Sequence, residues 1–96
     1  MEIEKLVKEK RQDILRVAAR HGVERIFVFG SVARGEAGPD SDVDFLIQVA
    51  GPTSAWFPGG LVADLEQLLG RRVDVVEPDA LREPLRQRIL SEAVQL

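Results

Sequence analysis

The stretch Gly30-Ser31-Val32-Ala33-Arg34-Gly35, followed after a short turn by Ser41-Asp42-Val43-Asp44-Phe45-Leu46-Ile47, decides how this chain is read. Just before it, Arg25-Ile26-Phe27-Val28-Phe29 is a β-branched and aromatic run that stops at a glycine, the pattern of a buried strand. Ser31 to Arg34 then opens a short helix that Gly35 ends, and Glu36 to Ser41 holds the turn residues Gly38, Pro39 and Asp40. Beyond the turn, Val43, Phe45, Ile47 and Val49 alternate with Asp42, Asp44, Leu46 and Gln48, the period of a strand.

Working outward, Ile3, Leu6, Val7, Ile14, Leu15 and Ala18 fall on one helical stripe that predicts a first helix from about residue 2 to residue 20, stopped at His21-Gly22. Ala50 to Gly60, rich in Gly and Pro and carrying Trp56-Phe57, reads as a long connection. Leu61, Leu65, Leu68 and Leu69 have helical spacing closed by Gly70, and Arg72-Val73-Asp74-Val75-Val76 is a third strand. After a connection over Glu77 to Glu83, Pro84 suits a first helical position, and Leu85, Ile89 and Ala93 give a last helix its apolar face. The predicted order is α-β-α-β-α-β-α, an α/β fold, and 96 residues are enough for one domain, expected to span 1–96.

Apolar residues make up 45% and charged residues 30%, so a folded globule is expected and a disordered chain is excluded. The absence of cysteine removes disulfides, a thiolate nucleophile and cysteine zinc sites, which leaves oxygen ligands or the single His21 for any metal. Residues 1–20 carry charges throughout and match neither a signal peptide nor a membrane span, so a cytoplasmic location and no membrane partner are expected. With a net charge of −3 and no long basic run, the chain is a poor match for a nucleic-acid binder.

The chemistry sits in the opening stretch. At Gly30 the missing Cβ lets the backbone approach a bulky anion, and Ser31 offers an N–H and a hydroxyl at the start of a helix, a natural phosphate site. Serine there also suits a plain N-cap, the commoner use of an isolated Gly-Ser. Asp42 and Asp44, two apart on a strand, leave the same face with Cα atoms about 7 Å apart, where two carboxylates repel by roughly 2 kcal/mol at an effective dielectric near 20. A divalent cation removes that repulsion; a solvated pair capping a strand end is the bland alternative. Asp74 is a third carboxylate in a strand, able to join the other two if strands two and three are neighbours, or else to pair with Arg71 or Arg72.

Arg34 suits phosphate oxygens or developing charge, and equally a plain exposed helical arginine or a buttress of the aspartate loop, while Ser41 suits a cap on the turn before Asp42. His21, at a helix end, reads as a dipole-complementing surface residue. Trp56-Phe57 reads as a base-stacking or partner surface or, more commonly, as loop anchors folded onto the core. A calcium loop starting at Asp40 is excluded because Phe45 and Gly51 stand where Gly and Glu are required, and a P-loop is excluded by the missing Gly-Lys-Ser/Thr.

Taken together, Gly30-Ser31-x-x-Arg34-Gly35, a loop, and Ser41-Asp42-x-Asp44 before apolar residues resemble the signature of the DNA polymerase β nucleotidyltransferase superfamily in its minimal form. The resemblance implies a small mixed sheet flanked by helices. It implies Gly30 and Ser31 at the triphosphate of ATP or another NTP, where Arg34 is a further candidate on its own chemistry, and Asp42, Asp44 and Asp74 as catalytic ligands of two Mg²⁺, with Asp74 matched by strand context alone. It further implies transfer of a nucleoside monophosphate, AMP from ATP, to a tyrosine hydroxyl of a HEPN-domain toxin, with this chain as antitoxin. Two alternatives stay open: a non-catalytic module that neutralises its partner by contact, and a small-molecule nucleotidyltransferase, against which the short length argues. A partner is expected to dock near the site, on the Trp56-Phe57 loop or the last helix.

Overall fold

A computed structural model describes residues 3–96. The elements are α1 (Ile3–Glu9), α2 (Arg11–Arg20), β1 (Val23–Phe29), α3 (Gly30–Arg34), β2 (Val43–Val49), α4 (Gly59–Leu69), β3 (Val73–Val76), a 3₁₀ turn (Pro78–Ala80), α5 (Leu85–Glu92) and β4 (Val94–Gln95). The four strands form one mixed sheet in the order β3-β2-β1-β4, with β1 antiparallel to β2 and β4, and β2 parallel to β3.

Three elements depart from the sequence reading. The first helix breaks at Lys10, and its expected start at residue 2 lies outside the described residues. The apolar stripe lapses between Val7 and Ile14, so nothing draws the middle of the segment onto the core, and the bend at Lys10 lets Ile3 and Val7 pack on the core separately from Ile14, Val17 and Ala18. The break is slight, since Lys10 still donates to Leu6 and its carbonyl still accepts from Ile14. Second, β4 has only two residues, too few for any alternation to register in sequence. Third, Leu85 is 51% exposed and leaves the apolar face of α5 to Ile89 and Ala93.

Strand alternation divides the sheet into two faces. Ile26, Val28, Val43, Phe45, Ile47 and Val73 point into the main core beneath α1, α2 and α4. On the other face Phe29 and Leu46 pack with Ile89 of α5, with Phe27 and Val76 beside them. Asp44 and Asp74 alternate onto that second face, at the edge where β1 ends and β2 and β3 begin.

Candidate active site

Each member of the cluster is held by a neighbouring element. At Gly30 the chain turns from β1 into α3 with φ +72°, a region that favours glycine, and a Cβ there would overlap the Asp44 carboxylate. Phe29 occupies the N-cap of α3 and makes no side-chain cap bond of its own, so Ser31 lies inside the helix and is not the cap. Gly35, in the left-handed region, ends α3.

The turn before Asp42 closes as expected: Gly38 N–H donates to Ser41 Oγ at 2.8 Å, and Ser41 N–H donates to the Gly38 carbonyl at 3.2 Å. Arg71 donates to the Pro39 carbonyl, and Val43 N–H donates to the Arg72 carbonyl at 2.9 Å, fixing the loop against the start of β3. Glu66 of α4 accepts from Val73 N–H at 3.0 Å, which sets where β3 begins.

These contacts bring the predicted carboxylates to one corner. Asp44 faces Phe29 across one strand pair and Asp74 across the other, while Asp42 immediately precedes β2. Burial pushes the Asp44 carboxyl above its ordinary value, with Asp74 and Asp42 raising it further and Arg34 opposing them. The surface ion pair of Asp74 with Arg71 or Arg72 does not form: among the described residues Asp42, Asp44 and Asp74 make no salt bridge. No three His, Asp or Glu side chains among the described residues converge into a closed ligand cluster. Asp42 and Asp74 are exposed, and three like charges favour separation.

Arg34 is engaged elsewhere. Its guanidinium bonds both oxygens of Glu92 at 3.2 and 3.3 Å and pairs with Glu36 at 3.4 Å, and the bond to Glu92 raises its pKa. Glu92 also accepts from Gly30 N–H at 3.1 Å. The sequence reading did not find this residue; its one signal is a position three after the buried Ile89, at the border of the apolar stripe of α5.

His21 and Trp56 belong to the opposite edge. Ser54 N–H donates to the His21 carbonyl and Ala50 N–H to the Gly22 carbonyl, so the 50–58 connection sits where β2 ends, about 17 Å from Asp44 along the strand. His21 is no surface residue: its ring bonds Ser54 Oγ at 2.5 Å and Asp64 at 2.7 Å, and its side chain is 12% exposed. Phe57 packs on the core as a loop anchor, whereas Trp56 is 92% exposed at φ +62°. The docking surface expected near the site on this loop is therefore misplaced, because the connection leaves the far end of β2.

Comparison with known proteins gives the same fold and a family. Residues 2–96 match the nucleotidyltransferase domain family. The protein adenylyltransferase MntA of Thermococcus cleftensis is 39% identical over 97% of this chain and 91% of its own length. A candidate protein adenylyltransferase of Methanocaldococcus jannaschii is 36% identical over 94% of this chain and 97% of its own. Among solved structures, one described as a candidate minimal nucleotidyltransferase superposes with a TM-score of 0.85 at 43% identity, covering 100% of this chain and 97% of the other. A toxin-antitoxin crystal structure with AMP-PNP shares the fold, with a TM-score of 0.73 at 22% identity, over 88% of this chain and 69% of that one.

Proposed function

The chain belongs to the nucleotidyltransferase domain family, a family of enzymes, and from that premise we propose that residues 1–96 act as one unit transferring AMP from ATP to a hydroxyl on a protein partner. The observation that carries the reading is the pairing of Asp44 with Asp74 across adjacent parallel strands, beside the Gly30 turn and, among the described residues, without a salt bridge to any of the three aspartates. The relatives named as protein adenylyltransferases, matched over nearly their whole length, support AMP and a protein acceptor.

An all-carboxylate donor set of uncompensated charge fits a hard cation, so Asp42, Asp44 and Asp74 are the residues that would hold Mg²⁺. Mg²⁺ bound there supplies charge neutralisation for the triphosphate and the developing pyrophosphate. The backbone N–H groups of Gly30 and Ser31 and the Ser31 hydroxyl bind phosphate oxygens. The acceptor oxygen attacks the α-phosphorus, the bond to the bridging oxygen of the β-phosphate breaks, pyrophosphate leaves, and Asp74, a solvent-exposed carboxylate beside Asp44, takes the hydroxyl proton. Orientation supplies much of the rate in such transfers, and a partner that docks its own hydroxyl over the corner provides it.

The partner class favoured by this reading is a HEPN-domain toxin modified on tyrosine, with this chain as its antitoxin; structural neighbours from toxin-antitoxin complexes support it at the level of fold. Among the described residues no helix is long and apolar enough to cross a membrane. Melting curves test the nucleotide half of the proposal: Mg²⁺ and ATP together should raise the melting temperature more than either alone. Curves unmoved by the pair at millimolar concentration would favour a non-catalytic module.

A further inference from the structure

Helix α5 brings a carboxylate to the turn that the proposed reaction reserves for phosphates. Gly30 N–H and the Arg34 guanidinium already grip one anion, the Glu92 side chain, through three hydrogen bonds of 3.1 to 3.3 Å. The Glu92 side chain is 20% exposed and its bond to Gly30 N–H is half-buried, while the Arg34 guanidinium on its outer side stays open to solvent. It also adds a fourth negative charge beside Asp42, Asp44 and Asp74. A triphosphate at Gly30 and Ser31 needs the same N–H and meets repulsion from the same carboxylate, so the two anions exclude one another.

Helix α5, which carries Glu92, is itself lightly held, although the chain beyond it is pinned by β4 on β1 and by Leu96 N–H on the Ile26 carbonyl. Ile89 is the only buried residue of α5, Leu90 is 38% exposed, and the strand that follows has two residues with Val94 52% exposed. Few buried contacts make such a segment inexpensive to displace.

We propose that Glu92 is a built-in plug: it holds the Gly30 N–H and Arg34 while the chain is free of nucleotide, and the incoming triphosphate displaces it, releasing the end of α5. The inference rests on the nucleotide reading of the Gly30–Ser31 turn given above. Nucleotide occupancy is thereby coupled to the position of α5 and β4. Once freed, Arg34 becomes available to phosphate oxygens, which reconciles its observed pairing with the role expected of it.

The test is calorimetric titration of the whole chain with Mg²⁺ and AMP-PNP, for the natural sequence and for Glu92→Gln, which keeps an acceptor for Gly30 and loses the charge. The apparent Kd is the intrinsic Kd divided by the fraction of molecules whose turn is open, so removing the plug with Glu92→Gln should tighten binding several-fold, roughly fivefold if one molecule in five is open. Amide exchange on the unsubstituted chain gives a readout independent of how the variant folds: AMP-PNP should speed exchange across residues 85–95. Equal or weaker binding by Glu92→Gln, or unchanged or slower exchange over 85–95 when nucleotide is bound, overturns the plug and leaves the nucleotide reading standing. Binding by Glu92→Gln alone supports an almost fully closed plug. Binding by neither chain overturns the nucleotide reading, and the plug with it.

Discussion

The Asp44 carboxylate occupies the space that a side chain on Gly30 would need, so the turn that opens α3 and the strand that carries the central carboxylate are fitted to one another. Gly30→Ala therefore meets two obstacles, the overlap with Asp44 and a backbone held at φ +72°. Left-handed φ alone costs an L-residue about 1–2 kcal/mol. The expected outcome is a loss of at least that much in urea denaturation, together with loss of nucleotidyl transfer. A variant of unchanged stability and full activity would show that the fit is incidental.

Asp44→Asn should not destabilise the metal-free protein at neutral pH. Burial, Asp74 and Asp42 raise the Asp44 carboxyl above its ordinary 3.8, so the folded chain binds that proton more readily than the unfolded chain does. Its contribution to stability therefore falls as pH climbs from 3.8 through the raised value, and stays low at pH 7. Asparagine removes that penalty. Thermal melts in chelator should show the variant equal to or above the natural sequence at pH 7, with its advantage shrinking at about pH 3, where aspartate is protonated. A marked loss of melting temperature at pH 7 would make the carboxylate structural.

His21 ties the end of α2 to both the 50–58 connection and α4, through Ser54 and Asp64. Replacing it by alanine leaves Ser54 Oγ and the Asp64 carboxylate without this partner, at a cost of about 1–3 kcal/mol, readable in urea melts. Transfer activity per folded molecule should be unchanged, because the clasp lies at the far edge from Asp44. A stable His21→Ala protein with defective transfer would place the histidine in the chemistry.

Trp56→Ala should leave the melting temperature within about 0.5 kcal/mol equivalent, since a side chain 92% exposed contributes little burial. It should likewise leave Mg²⁺-dependent nucleotide binding intact. Unfolding of this variant would show Trp56 to be a core anchor like Phe57.

How much was legible follows from what each feature depends on. The Gly30 turn, the Asp42–Asp44 pair and the alternation of β2 are local patterns of backbone and side-chain period, and each stands in the structure where its residues place it. Asp74 needed one long-range fact, that β3 lies beside β2 in the register that sets it against Asp44. Glu92 was not legible, because its role is set by the packing of Ile89, which swings the end of α5 onto Gly30 from 62 residues away in sequence. His21 was misread for the same reason: helix-end position predicts solvent, and the tertiary partners Ser54 and Asp64 override it. The far-edge location of Trp56 follows from the direction of β2, which its alternation cannot show.

The most direct test of the account is label transfer from ATP labelled at the α-phosphate. The natural chain, Asp42→Asn and Asp44→Asn are each incubated with Mg²⁺ and a purified HEPN-domain protein, the partner proposed above, and the label is then located by mass spectrometry. The natural chain should place an adenylate on a partner hydroxyl, and both variants, though folded, should transfer none. Transfer undiminished in the two variants, or none by the natural chain while it still binds and silences the partner, would contradict the proposed transfer.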